Sequence, residues 1–266
     1  MKKPSMWVIK IGGNVLDDTR LLKQVLDDLA KMAEPFILVH GGGKRATELG
    51  RALGVPQKMI KGRRITNTAT LDIALMAYAG EINKKLVAGL QARGVNALGL
   101  TGVDGNMLKA KIRDITPINY GWVGDPDPKD LNVSLLKCLL NQGVIPVFCA
   151  MTHDGCGQML NTNADTIASC LAIGLADHYA IKLFYLFEKD GVLRNVNDSS
   201  SMIENLHLSQ IDALIEEGVI QGGMLPKMAN AASAIQQGVQ EVLIGSAPNF
   251  WGAIETKPKT ATRVVV

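Results

Sequence analysis

The chain has 266 residues, with 28 Lys+Arg against 25 Asp+Glu and a formal net charge of +3. That length can bury a sizeable core, and the charge is too small and too dispersed to mark a nucleic-acid or membrane surface. Nowhere do about 18 consecutive apolar residues occur, so no membrane span is expected. The lysines near the start precede an apolar run that Lys10 soon interrupts, which reads as a strand rather than a signal peptide. Cys138, Cys149, Cys156 and Cys170 show neither C-x-x-C spacing nor a zinc-like histidine pattern, and they read as reduced thiols of a cytoplasmic protein.

The first predicted element is a strand over 7–11, in which Lys10 is followed by Ile11, Gly12, Gly13 and Asn14. An ammonium near a core is costly unless an anion compensates it, although a strand-end lysine can also snorkel to water. Glycines there let a phosphate approach backbone N–H groups. A helix over 21–32 and a strand over 36–39 follow. His40, Gly41, Gly42, Gly43 and Lys44 then lead into a helix over 45–53. Three glycines between strand and helix lie where backbone amides and the helix dipole meet an anion; tight-turn packing is the other reading. His40 is expected to be a hydrogen-bonded structural residue. The glycines do not form G-x-G-x-x-G, which argues against a dinucleotide-dependent dehydrogenase.

A hairpin is predicted over 58–66, with Arg63 and Arg64 on its second strand. Alternation sends the two guanidinium groups to opposite faces, so at most one points into a site, where its planar fork suits a carboxylate. The stretch 71–90 is helical and too apolar for one amphipathic stripe, which suggests a face covered by a partner. A strand over 97–100, a helix over 135–140, a strand over 144–148 and a second hairpin over 152–160 come next. Asn161, Thr162, Asn163, Ala164 and Asp165 precede a helix over 164–175, in which Asn163 suits the N-cap and Asp165 the first turn. A strand over 179–187, a helix over 228–237 and a strand over 242–244 complete the pattern. Gly222 to Lys227 reads G-G-M-L-P-K. Pro226 is expected at the first helical position, with Lys227 in the first turn, where a cation opposes the helix dipole unless an anion sits beside it. Strands apolar on both faces, separated by helices, predict an α/β fold, a three-layer sandwich around a mainly parallel sheet with ligands at the strands' carboxyl ends.

In this order and spacing the segments at Lys10 to Gly13, His40 to Gly43, Gly62 to Thr66, Asn161 to Asp165 and Gly223 to Lys227 resemble the amino acid kinase family, in particular its members that act on N-acylated glutamate. The resemblance implies the amino acid kinase fold, as a single domain over 1–266 with an acyl-amino-acid lobe over about 1–160 and a nucleotide lobe over about 161–266. It implies ATP-dependent phosphorylation of the γ-carboxylate of an N-acyl-L-glutamate, acetyl or succinyl, in arginine biosynthesis, with ATP and Mg²⁺ as cofactors and a homodimer as the assembly. It places Lys10 and Lys227 on the transferring phosphoryl group, Asp165 as the holder of both lysines, Gly42 and Gly43 as amide donors, and Arg64 and Asn161 on the substrate. Gly12, Gly13 and Asn163 are implied as neighbours. A carboxylate is already ionised at pH 7, so no general base is required. The other readings are a relative acting on carrier-bound aminoadipate or free glutamate, and a non-catalytic ligand sensor of the same fold.

Two departures from the family pattern stand out. Phe187, Glu188, Lys189 and Asp190 replace the usual small polar residue and Asp before the Val192 turn, so no nucleotide contact is assigned there. The first strand lies close to Met1, whereas arginine-inhibited members carry an extra N-terminal helix, so inhibition by that route is not expected.

Overall fold

The structure is a computed structural model that describes residues 3–60, 62–257 and 259–266. Lys61, inside the expected 58–66 hairpin, lies outside the described residues. In chain order the first elements are β1 (Ser5–Ile11), α1 (Gly13–Asp17), α2 (Thr19–Ala30), β2 (Phe36–His40), α3 (Gly43–Ala52), β3 (Lys58–Ile60), β4 (Arg63–Ile65) and α4 (Thr68–Leu75). A π-helical segment (Met76–Ile82) leads into α5 (Asn83–Gln91), followed by β5 (Ala97–Leu100), β6 (Leu108–Ile112), β7 (Gly124–Leu131), α6 (Val133–Asn141), β8 (Ile145–Cys149), β9 (Met151–His153) and β10 (Met159–Asn161). The rest are α7 (Ala164–Leu175), β11 (Ala180–Phe187), β12 (Asn205–His207), α8 (Ile211–Glu216), α9 (Met224–Gln236), β13 (Glu241–Ser246), α10 (Phe250–Ile254) and β14 (Ala261–Val265).

The chain packs as two compact units, one of Met1–Phe36 with Leu171–Val266, the other of Ile37–Cys170. In the first, the strands run in the order β12-β14-β13-β11-β1. All these pairs are parallel except β13 with β14. The N-terminal strand belongs to this unit because it pairs with β11 along its whole length, from Ser5↔Ala180 to Ile11↔Leu186. Trp7, Val8, Ile9 and Ile11 are all buried, as a strand covered on both faces requires. Phe184 packs against Trp7 and Phe250, with ring centroids 6.4 and 5.4 Å away. Asp18 caps α2 by accepting from the N–H groups of Arg20 and Leu21.

The start of α9 corrects the sequence reading. The helix opens at Met224 rather than at residue 228, which puts Pro226 third and Lys227 fourth. The first four helical N–H groups have no intrahelical acceptor, so proline is tolerated anywhere in that turn and does not mark its first position. Lys227 remains in the first turn.

In the second unit β2, β8 and β5 form a parallel sheet, in that order. The strands β10-β9-β6-β7 form another sheet, and β3 pairs antiparallel with β4 as expected. The second expected hairpin is β9 with β10. Its turn is held by Asp154, whose Oδ1 accepts from the N–H groups of Cys156 and Gln158 at 2.7 and 3.0 Å. The sequence reading missed β7, whose run G-D-P-D-P-K-D-L carries two prolines. It lies at the edge of its sheet, where a missing N–H costs no ladder bond. The expected helix over 71–90 is present but irregular, with the π-helical segment in its middle.

Candidate active site

The second unit contains a cavity of about 200 Å³ at the carboxyl ends of β2 and β8. Gly41, Gly42 and Gly43 form one wall, and Asn161, Thr162, Asn163 and Ala164 form another. These two stretches are the entries to α3 and α7, and the Cβ of Ala164 lies 3.8 Å from where a Cβ on Gly41 would stand. Two helix N-termini therefore open on one small space, and both bring positive dipole ends to it. Asn163 caps α7 as expected, its Oδ1 accepting from Asp165 N–H at 2.7 Å and Thr166 N–H at 3.3 Å. Asp165 sits in the first turn of that helix and is 5% exposed.

Gly42 has φ +150, and a Cβ there would collide with Ile82 Cδ1 and lie 3.0 Å from Tyr78 Cδ1. Backbone geometry and space both demand glycine at this point. The carbonyl of Gly42 accepts from Ala46 N–H at 3.0 Å and begins α3.

Strand alternation separates the two arginines of β4 as expected: Arg63 is exposed and Arg64 is buried, at 6%. Both nevertheless line the cavity, which corrects the expectation that at most one would reach it: opposite faces of so short a strand do not keep two side chains as long as arginine from bordering one space. Arg64 Nη2 donates to the carbonyl of Gly43 at 2.7 Å and to Thr47 Oγ1 at 3.0 Å, and Nη1 donates to Gln57 Oε1. These partners are neutral, and among the described residues no carboxylate pairs with Arg64. A buried guanidinium without an anion is costly, and a bound carboxylate relieves that cost. Asn161 Nδ2 donates to Thr66 Oγ1 at 3.0 Å, and its backbone N–H bonds to Trp122 O at 2.9 Å, so the side chain is fixed at the cavity rim.

Arg113, Tyr78 and Met59 are among the residues of the cavity not singled out from the sequence. Arg113 lines it while paired with Asp125, Nε to Oδ2 at 2.9 Å, and lies 5.7 Å from the Tyr120 ring centroid. The alternating L-K-A-K-I of β6, which ends just before Arg113, is the signal that could have found this strand, which the sequence reading passed over. Tyr78 forms part of the wall; burial pushes its hydroxyl pKa up, against the opposing effect of Arg64. Met59 adds an apolar surface.

The other candidate residues belong to the first unit. Lys10 is 8% exposed on β1, opposite Tyr185 of β11. Gly12 N–H donates to Leu186 O at 2.8 Å, and a Cβ at Gly12 would lie only 3.1 Å from that oxygen. Gly13 opens α1, and Asn14 Nδ2 donates to Glu188 Oε2. Lys227 is half-buried in the first turn of α9. Asp190, left without a role by the sequence, accepts from Ser246 Oγ at 2.6 Å and Asn249 Nδ2 at 2.9 Å. Among the described residues no cluster of His, Cys, Asp and Glu has the arrangement of a metal site, and no helix is long and apolar enough to cross a membrane.

Residues 5–246 match the model of the amino acid kinase family. A protein of Parabacteroides distasonis named acetylglutamate kinase is 47% identical over 240 residues, covering 90% of this chain and 93% of its own. One of the same name from Cytophaga hutchinsonii is 44% identical and covers 98% of each chain. Among solved structures, smu.665 from Streptococcus mutans superposes with a TM-score of 0.78 at 30% identity and covers 98% of each chain.

Proposed function

Because this chain belongs to the amino acid kinase family, we propose that it transfers the γ-phosphoryl group of ATP to the γ-carboxylate of N-acetylglutamate, a step of arginine biosynthesis. The observation that carries this reading is the cavity of the second unit, where two helix N-termini, a glycine turn and a buried guanidinium free of carboxylate partners surround a space of about 200 Å³. Such a site suits a small dianion. Arg64 takes the substrate's α-carboxylate, and Asn161 adds an amide at the rim. The amides of Gly42 and Gly43 face the γ-carboxylate and the phosphoryl oxygens it attacks.

Phosphoryl transfer asks the protein chiefly for alignment and for neutralisation of charge on the phosphoryl oxygens. Oriented amides supply part of this. The same reading gives Lys10 and Lys227 the transferring group, Asp165 the orientation of the two lysines, and Gly12, Gly13 and Asn163 supporting places. It gives the acyl amino acid to the unit of Ile37–Cys170 and the nucleotide to the unit of Met1–Phe36 with Leu171–Val266, in place of lobes over about 1–160 and 161–266, because β1 pairs with β11; it gives a dimer to the assembly. Mg²⁺ accompanies ATP, as it does wherever a triphosphate must be charge-neutralised. The nucleophile needs no base, because a γ-carboxylate is ionised at neutral pH.

The test is direct. Purified protein with MgATP and N-acetylglutamate should form an acyl phosphate that hydroxylamine traps as a hydroxamate, with N-succinylglutamate, aminoadipate and glutamate run in parallel. Absence of hydroxamate from every acylated glutamate would overturn the assignment. Light scattering at micromolar concentration reports the dimer.

A further inference from the structure

The glycine turn does not set its own direction. His40, just ahead of it, is fully buried, and its Nδ1 lies 2.8 Å from the carbonyl oxygen of Gly41. Its Nε2 lies 3.1 Å from Asn83 Nδ2, which also donates to Val147 O at 2.9 Å. A carbonyl can only accept, so the amide nitrogen of Asn83 must face Val147 and its second proton must face His40. Nε2 is then the acceptor, and the ring proton sits on Nδ1, where it bonds Gly41 O. The Gly41 carbonyl belongs to the same planar trans unit as the Gly42 N–H, and the two point in opposite directions. Pulling that carbonyl toward His40 turns the Gly42 N–H the other way.

The π-helical segment delivers these contacts together. In an α-helix at 3.6 residues per turn, positions five apart diverge by about 140°. The i→i+5 bonding of a π-helix sets them nearly above one another. Tyr78 and Asn83 are five apart, and Tyr78 with Ile82 packs against Gly42 while Asn83 reaches His40. Glu81, in the same segment, pairs with Arg45 of α3 at 2.7 Å. Gly99 of β5 leaves the space that the Asn83 side chain fills, since a Cβ there would collide with Asn83 Oδ1.

We propose that His40, held in one tautomer by Asn83, is a positioning residue that aims the Gly42 N–H at the oxygens of the transferring phosphoryl group. The proposal rests on the phosphotransferase reading above. His40 touches no substrate and moves no proton in the reaction; it acts through one peptide plane.

The two ring nitrogens are tested separately by amide substitution. Asparagine places a donor near the Nδ1 position and glutamine places one near Nε2. His40→Asn should keep kcat within about fivefold of wild type. His40→Gln should lose about 10²-fold in kcat, the loss typical of one misplaced oxyanion donor, with the KM for the acylated glutamate changed by less than about threefold. Equal kcat losses in both variants, or full kcat in both, overturn the proposal, whereas a wild type without activity overturns the functional reading instead. If either variant fails to fold, Asn83→Ala reads the relay from its far end. It should lower kcat about tenfold at constant KM, and an unchanged kcat refutes the role.

Discussion

Acidification from pH 8 to pH 5 acts on His40 differently in the folded and unfolded chains. Its pKa is pushed down from 6.5 to about 4, by loss of hydration against the smaller opposing effect of the Gly41 hydrogen bond. The unfolded chain therefore takes up a proton as pH falls through 6.5, while the folded protein resists until about 4. Where the unfolded state binds more protons, stability rises with pH, so this contribution is complete above 6.5, falls as the pH drops toward 4 and levels off below. With those two values the loss between pH 8 and pH 5 is about 2 kcal/mol, or about 4–8 °C in Tm. His40→Asn removes the titrating ring. Thermal unfolding of wild type and variant, followed by circular dichroism at both pH values, should show the Tm gap between them shrinking by that amount on acidification. The held-down carboxylates of Glu81, Asp154, Asp198 and Glu255 remain in both proteins and cancel in the difference. Parallel Tm curves would refute the buried neutral imidazole, and with it the tautomer on which the Gly41 bond depends.

Arg64→Lys keeps the charge but loses the fork, and should raise the KM for N-acetylglutamate by about 10- to 100-fold, the worth of a charged hydrogen-bonded pair, while sparing the KM for ATP. Equal weakening of both would mark Arg64 as structural. Lys10→Met and Lys227→Met should each lower kcat by about 10²- to 10³-fold with modest changes in KM, and full kcat in either variant removes that lysine from the mechanism. Burial pushes the Cys149 and Cys170 thiols up to about 12, whereas Cys138 and Cys156 are exposed. Maleimide at neutral pH should therefore label two cysteines in the native protein and four in urea, as read by mass spectrometry.

Much of the fold is legible because its strands and helices follow local periodicity. The buried run of β1, the alternation of Arg63 and Arg64, and the Asn163 cap each depend on residues within four positions of one another, and each is where the pattern put it. The failures share a cause as well. β7 carries two prolines that read as a loop, and only its place at a sheet edge explains their tolerance. Pro226 is expected as the first helical residue because that is its commonest place, yet Met224 and Leu225 precede it in the helix, their N–H groups turn-bonded to the carbonyls of Gln221 and Gly222.

The site divides along the same line. Glycines between a strand and a helix announce an anion cradle, but they leave open which way its amides face, because glycine permits either orientation of a peptide plane. That choice is made by His40 through Asn83, 43 residues away, and by Tyr78 and Ile82 packed against Gly42. A regular helix over 71–90 would have rotated Asn83 away from the face that Tyr78 occupies. The local irregularity of α4 to α5 is thus a condition for the regular entry to α3, and no window of sequence containing only one of the two segments contains the reason for either.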